Sequence, residues 1–139
     1  MGLDNGLILR IEDKNLKIPN WLYRLKSDFF SKQYDEYEIY YWRKCYDIRQ
    51  NLMDKLDNFI TNEGCKVSLN EFNCFKDEII YRYFTIPGIK SWNDSGMNCW
   101  EYSFFTFRQG LYYLYIWYKL KRFISKHTDS CILYFYDSF

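Results

Sequence analysis

The chain has 139 residues, and we expect residues 1–139 to form a single compact domain. Hydrophobic residues make up 48% and aromatic residues 23% of the sequence, which excludes an intrinsically disordered protein. The formal net charge of +1 excludes both a bulk nucleic-acid binder and an acidic nucleic-acid mimic, so a polyanion site must be a local patch. Alanine is absent, and we therefore expect a core built from aromatic rings.

The amino-terminal segment predicts a β-strand followed by a short helix. In "GLILRIED" the apolar residues Leu7, Leu9 and Ile11 alternate along the chain before a turn-like sequence. Pro19 and Asn20 then indicate the start of a short helix. The opening "MGLDNGLILRIEDK" has no basic region ahead of its short apolar run, so we expect no secretory signal and a cytoplasmic protein.

Residues 35–60 are predicted to form an amphipathic helix, because their apolar side chains share one face at 100° per residue. Glu38 and Arg49 fall within that apolar face, about 16 Å apart along the helix axis. An unpaired buried charge is strongly unfavourable. Each of the two is therefore expected to meet a charged partner on another helix, such as Glu78 or Arg82, or to line a pocket.

Gly64 is expected to end this helix, because glycine readily adopts the left-handed conformation found after helix ends. Ser68 and Glu71 have the spacing of a capping box and predict a third helix through "FNCFKDEIIYRYF". The sequence "TIPGIKSWNDSG" follows and is rich in turn-forming residues, so we expect a loop there.

The last helix is predicted to run from about residue 98 to residue 126. Its apolar side is expected to contain Phe105, Tyr113, Ile116, Leu120, Phe123 and Ile124. Its charged side is expected to contain Glu101, Arg108, Lys119, Arg122 and Lys126. A membrane span needs about 20 mainly apolar residues, and charged residues interrupt this run too often for that.

The closing sequence "CILYFYDSF" is a β-type run that we expect to pair with the amino-terminal strand. The predicted fold is therefore α+β. It is a mainly helical single domain of three to four helices, with a small antiparallel sheet that joins both termini.

The outer face of the last helix is the main candidate functional surface. Basic and aromatic side chains alternate there at spacings of four, three, four, three and four, which places them in one line along the helix. Cations can neutralise acidic groups, while exposed rings can stack on bases or contact a protein. The alternative is an ordinary solvated helix face. We call this set the basic–aromatic stripe: Arg108, Tyr112, Tyr115, Lys119, Arg122 and Lys126.

A second candidate site is a nucleotide pocket beside the helix predicted for residues 35–60. Its arginine and lysine side chains would hold phosphate, while a tryptophan ring would stack on the base. The residues assigned to this alternative are Glu38, Trp42, Arg43, Lys44, Arg49 and Trp100.

Catalytic and metal-binding patterns are not recognised. The five cysteines are scattered without a Cys-x-x-Cys pair, and His127 is the only histidine, so we expect reduced thiols and no metal site. The sequence also contains no glycine-rich phosphate-binding motif. We therefore expect a protein without catalytic residues or a cofactor. A nucleotide hydrolase is the second alternative, to which no residues can be assigned.

Three short segments resemble a family of small proteins encoded by phages and prophages. They are "MGLDNGL" at the start, "YYWRKCYDIR" from Tyr40 to Arg49, and the closing "LYFYDSF", with "VSLNEF" at the place of a comparable capped helix. The resemblance implies a protein that acts in the cytoplasm of an infected or lysogenic bacterium. It further implies an inhibitor of a host defence factor, such as an anti-CRISPR protein, whose partner is a host protein or a protein–nucleic-acid complex.

Overall fold

The computed structural model describes residues 4–27, 34–43, 46–88 and 107–138, and it shows an α+β fold with a five-stranded antiparallel sheet. The strands are β1 (Asp4–Ile11), β2 (Lys26–Ser27), β3 (Asp35–Arg43), β4 (Gly64–Val67) and β5 (Cys131–Ser138). The helices bounded within those residues are α1 (Asn20–Tyr23), α2 (Tyr46–Lys55), α3 (Asn73–Phe84) and α4 (Phe107–Lys126).

The amino- and carboxyl-terminal strands lie side by side in the sheet, as predicted. The strand order is β2-β3-β1-β5-β4, and β1 pairs with β5 along its whole length from Asp4 opposite Ser138 to Ile11 opposite Cys131. β1 is paired on both edges, and its side chains from Leu7 to Leu9 are almost fully buried. Leu7 and Leu9 share the face that forms the hydrophobic core, while Ile8 is buried on the opposite face of the sheet. The α+β prediction is confirmed.

The prediction of a helix over residues 35–60 is wrong for its first third and for its last five residues. Residues 35–43 form β3, which pairs with β1, and only residues 46–55 are helical. A β-bulge explains the misleading pattern: Leu7 pairs with Tyr40 and Ile8 with Glu38, so Ile39 is an extra residue. The bulge shifts the strand's alternation by one position. The buried apolar side chains of β3 therefore include pairs three residues apart, a spacing that is also typical of a helix face. These side chains are Tyr37, Ile39, Tyr40 and Trp42.

α3 begins and ends close to the predicted bounds, but its N-cap is Phe72 and has no side-chain hydrogen bond. The reciprocal hydrogen bonds predicted for Ser68 and Glu71 are present, and they close the turn that precedes α3. The Glu71 backbone N–H donates to Ser68 Oγ at 3.0 Å, and the Ser68 N–H donates to Glu71 Oε1 at 3.1 Å. The Asp57 N–H also donates to Glu71 Oε2 at 2.8 Å. Burial alone would raise the pKa of Glu71, but these hydrogen bonds outweigh it and lower that pKa.

α4 has the predicted two-sided character over residues 107–126, while residues 98–106, with Glu101 and Phe105, lie outside the described part of the chain. Its inner side packs against the sheet and α3, and all remaining residues of the predicted apolar side are buried. Buried rings place their polar atoms on backbone oxygens. The Trp117 indole N–H donates to the Phe72 carbonyl and the Tyr40 hydroxyl donates to the Tyr113 carbonyl, each at 2.8 Å. Across the described residues, no helix is long and apolar enough to cross a membrane.

Gly64 begins β4 rather than ending a helix, because α2 already ends at Lys55. Its φ of +109° is a conformation that side chains disfavour, and a Cβ there would collide with the carbonyl oxygen of Phe135. Glycine therefore allows the close approach of β4 to β5.

Replacing Gly64 with alanine is expected to lower the free energy of unfolding by at least about 2 kcal/mol, through backbone strain and the collision with β5. Urea unfolding under reducing conditions would measure this change. Gly88→Ala is not a suitable control because its Cβ would also collide, with Tyr81. Asn70→Ala, at an exposed turn position with ordinary φ, provides the comparison and should change stability by less than about 1 kcal/mol. A Gly64→Ala protein as stable as the wild type would contradict the described β4–β5 contact.

Candidate functional site

The outward face of α4 begins with large rings that reach into solvent. Tyr112 is 45% exposed, Tyr115 49% and Tyr118 60%, and Phe107 and Leu111 beside them are also more than half exposed. Isolated exposed apolar side chains are common on proteins, but a continuous group on one helix face is typical of a contact surface. This half of the face is therefore suited to contact with another molecule.

The same face becomes cationic toward the carboxyl end of α4. Arg122 and Lys126 are exposed, Lys119 is half-buried, and Lys119 Nζ lies 5.6 Å from the centre of the Tyr115 ring. Arg108 is exposed at the other end of the face. No ion pair links any of these four cations to an acidic side chain within residues 4–27, 34–43, 46–88 and 107–138. The structure thus places the residues of the basic–aromatic stripe along one face of α4, and their cations have no acidic partner in the part of the chain that the structure describes.

A cavity of about 310 Å³ lies against the cationic half of α4, and sequence reasoning did not anticipate it. The segment that leads into α1 contributes Lys17, Pro19 and Trp21 to its wall. The Trp21 ring meets the buried Phe123 ring edge-on, with centroids 6.3 Å apart. We call this the Trp21 cavity. Its described lining consists of Lys17, Pro19, Trp21, Lys119, Arg122, Phe123, Lys126 and His127.

A larger cavity of about 700 Å³ lies along β4 and the start of β5, but its chemistry is mainly apolar. Its Glu71 carboxylate is already engaged by backbone N–H groups. Burial raises the pKa of Cys65 and of Cys131 to about 11, so both thiols are protonated near neutral pH. These cysteines are free and poorly suited to act as nucleophiles. Cys45 and Cys99 lie outside the described residues.

The residues predicted to form a nucleotide pocket are not assembled into one. Trp42 is only 1% exposed and packs among other core rings, with centroids 5.6 Å from Tyr40 and 6.5 Å from Phe75. No face of this indole is open to a base. Glu38 lies on β3, away from the helix on which it was predicted, so the separation of about 16 Å from Arg49 does not apply. The predictions for Lys44, Trp100 and the Arg43 side chain fall outside the described residues.

Arg49 has a different partner from those predicted. Its Nε and Nη2 donate to the two carboxylate oxygens of Asp137 at 2.8 and 3.1 Å, whereas Glu78 and Arg82 pair with each other at 2.8 Å. Asp137 also accepts from Asn5 Nδ2 at 2.6 Å and from the Asn62 N–H at 2.9 Å. This set of contacts joins β1, α2, β5 and the turn before β4. Arg49 therefore has a structural role, since its charge is paired with Asp137.

The hydrogen bonds to Asp137 also change its acidity. Burial by itself would raise the pKa of Asp137, but the donors Arg49, Asn62 and Asn5, with the Arg49 charge, outweigh burial and lower that pKa. Asp137 is therefore held as a carboxylate near neutral pH. Its sequence neighbours carry no signal for this role, because the donors come from positions 5, 49 and 62.

The Trp21 cavity was only weakly indicated by the sequence. Pro19 and Asn20 indicate a helix start, and Trp21 follows directly, but no spacing rule relates these positions to residues 119–127. The sheet brings the two segments together in the fold. No protein-family model, curated protein or solved structure matches the chain, so the geometry of α4 and its surroundings carries the functional argument.

Proposed function

We propose that this protein is a non-enzymatic binding protein that engages a protein partner through the basic–aromatic stripe of α4. The observation that carries the proposal is the exposed group of tyrosine rings on α4 that continues into cations with no acidic neighbour among the described residues. Such a face is complementary to a partner surface with an apolar patch bordered by acidic side chains.

The physical properties of the face favour binding to a protein. Tyrosine and arginine are enriched among the residues that dominate the energetics of protein interfaces. A tyrosine ring buries a large area at a low cost in conformational entropy, and an arginine guanidinium presents a rigid set of hydrogen-bond donors. The tyrosines project from a twenty-residue helix whose inner side is fixed in the core, so the backbone of the face is preorganised. The uncompensated cations would accelerate association with an acidic partner.

The biological setting of this binding is proposed from the resemblance to phage- and prophage-encoded proteins. We propose that the partner is a host defence factor, either a protein or a protein–nucleic-acid complex, in the bacterial cytoplasm. Occupation of a functional surface on that factor would inhibit it without catalysis. An anti-CRISPR protein is one member of this functional class.

Replacing Tyr112 and Tyr115 with alanine is expected to weaken binding to the partner by at least about 100-fold, if each ring contributes about 1.4 kcal/mol or more. The partner would first be identified by affinity capture from a bacterial host lysate with the wild-type protein. The dissociation constant of each variant would then be measured with the purified partner.

The matched control is the double variant Tyr23→Ala with Tyr81→Ala, which removes two exposed tyrosines from α1 and α3. It should leave the dissociation constant within about threefold of the wild-type value. Equal affinities for the Tyr112/Tyr115 variant and the wild type, with both proteins folded by circular dichroism, would place the interface elsewhere and overturn the proposal.

A further inference from the structure

The Trp21 cavity combines two features that recognise one class of ligand. We infer that it binds a nucleoside phosphate, either a free nucleotide or the terminal nucleotide of a single strand. Tyr112 and Tyr115 are not part of the described cavity lining, whereas Lys119, Arg122 and Lys126 belong both to the cavity and to the basic–aromatic stripe. The inference is therefore carried by Trp21 and Lys17, which the protein-binding proposal does not use. It also differs from the nucleotide site predicted from sequence, since none of the cavity residues belongs to that set.

Charge is the first feature. Four cations line the cavity, no acidic residue is part of its described lining, and the whole chain has a formal net charge of only +1. Lys119, Arg122 and Lys126 follow each other at spacings of three and four, so they lie on one side of α4 over about 10 Å. Like charges gathered around a concave surface repel one another, and a bound phosphate relieves that repulsion.

The dipole of α4 does not account for all four cations of the cavity. Basic side chains in the last turns of a helix complement the negative end of its dipole, which accounts for some of the charge on α4. Lys17 lies outside α4, before α1, and has no such role. It is exposed, and it has no ion pair within the described part of the chain. Lys17 therefore adds a fourth cation to the cavity wall from a segment outside α4.

Aromatic surface is the second feature. Trp21 is half-buried, and its edge-on contact with Phe123 fixes the orientation of the indole while part of the ring stays accessible. Phe123 is in turn held by its position in the core and by the His127 ring, with centroids 4.8 Å apart. A fixed ring beside phosphate-binding cations is the arrangement by which proteins hold single nucleotides, because every base has a face that stacks.

The size of the cavity is consistent with a ligand that contains one base. Its volume of about 310 Å³ is at the lower end of the range for small-molecule sites. Larger ligands would extend from the cavity along the cationic half of α4. A free nucleotide and a strand end share the same phosphate and base, so the two sources are separated by experiment.

Binding would be tested by isothermal titration calorimetry on the full chain with adenosine monophosphate, a short 5′-phosphorylated oligodeoxynucleotide and inorganic phosphate. We expect at least one of the first two ligands to bind more tightly than about 1 mM and more tightly than phosphate. Lys17→Glu should weaken that binding at least about tenfold, because it reverses a charge in the cavity wall. Lys14→Glu makes the same charge change at a nearby exposed position and should have less than about a twofold effect.

Trp21→Leu separates stacking from charge. It should weaken nucleotide or oligonucleotide binding at least about tenfold and leave phosphate binding within about twofold. If Trp21→Leu fails to fold, the comparison of Lys17→Glu with Lys14→Glu alone tests binding at the cavity. Both lysines are exposed, so neither substitution is expected to prevent folding. The proposal is overturned if neither ligand binds at about 1 mM, or if Lys14→Glu and Lys17→Glu weaken binding equally.

The same variants distinguish this inference from the protein-binding proposal. Tyr112→Ala, which leaves the Tyr115 ring beside Lys119 in place, should keep ligand binding unchanged, while Trp21→Leu should keep the affinity for the protein partner. Preference for the free nucleotide over the oligonucleotide would assign a nucleotide-binding role, and the reverse preference would assign recognition of a strand end. Because the two proposals are tested with different ligands and different variants, one can be rejected while the other is still tested.

Discussion

Replacing Asp137 with alanine is expected to lower the free energy of unfolding by about 3–5 kcal/mol. Asp137 is 2% exposed and holds four hydrogen bonds, two of them from Arg49 and one each from Asn5 and Asn62. The variant would leave the Arg49 charge, which is 12% exposed, without its counterion. It would also leave the fully buried Asn5 amide without the acceptor for its Nδ2 donor.

The effect of Asp137 is expected to depend on pH. The folded-state pKa of this carboxyl group is lowered relative to its usual value, so its contribution to stability is complete above the unfolded-state pKa of about 3.9. That contribution is lost as pH falls through the lower folded-state pKa. The difference between the wild type and Asp137→Ala should therefore be constant from about pH 7 to pH 5 and shrink below about pH 4.

Urea unfolding followed by circular dichroism in a reducing buffer would measure both effects. Asp129→Ala is the control, since Asp129 is exposed, and it should change stability by less than about 0.5 kcal/mol. A loss of under about 1 kcal/mol for Asp137→Ala would mean that the Arg49 contact is not formed in solution.

Replacing Arg82 with leucine is expected to have an effect of similar size, about 3–5 kcal/mol. Arg82 and Glu78 are each 3% exposed and are joined at 2.8 Å, one helical turn apart on α3. The single variant would leave the Glu78 carboxylate buried, with the Asn51 amide as its remaining side-chain donor among the described residues, at 3.2 and 3.4 Å. Asp47, which also meets Arg82 at 3.5 Å, is 37% exposed and would be solvated by water.

The double variant Glu78→Leu with Arg82→Leu provides the decisive comparison. Removing both charges leaves no unpaired buried ion, so its stability should lie within about 1.5 kcal/mol of the wild-type value and above that of Arg82→Leu. A double-mutant cycle in urea would give the coupling energy. Additive losses in the two single variants would show that the pair does not act as a unit.

Local patterns were enough to predict several elements correctly. The alternation of Leu7, Leu9 and Ile11 predicted β1, the Ser68–Glu71 spacing predicted the reciprocal hydrogen bonds between those two residues, and the two-sided projection predicted α4. Each of these depends on residues a few positions apart in the chain, where period and side-chain chemistry act directly on the backbone. The exposed placement of the basic–aromatic stripe follows from the same periodicity.

Contacts between distant segments decided the rest. β3 is a strand because the edge of β1 offers hydrogen bonds, and the bulge at Ile39 lets four apolar side chains of β3 face the core. A helical projection cannot distinguish this pattern from the apolar face of a helix. Arg49 pairs with Asp137, eighty-eight positions away, only because α2 packs beside the end of β5. The Trp21 cavity likewise exists only where the segment before α1 meets α4. Periodicity acts over one or two turns of chain, whereas these partners are chosen by how the sheet and helices pack.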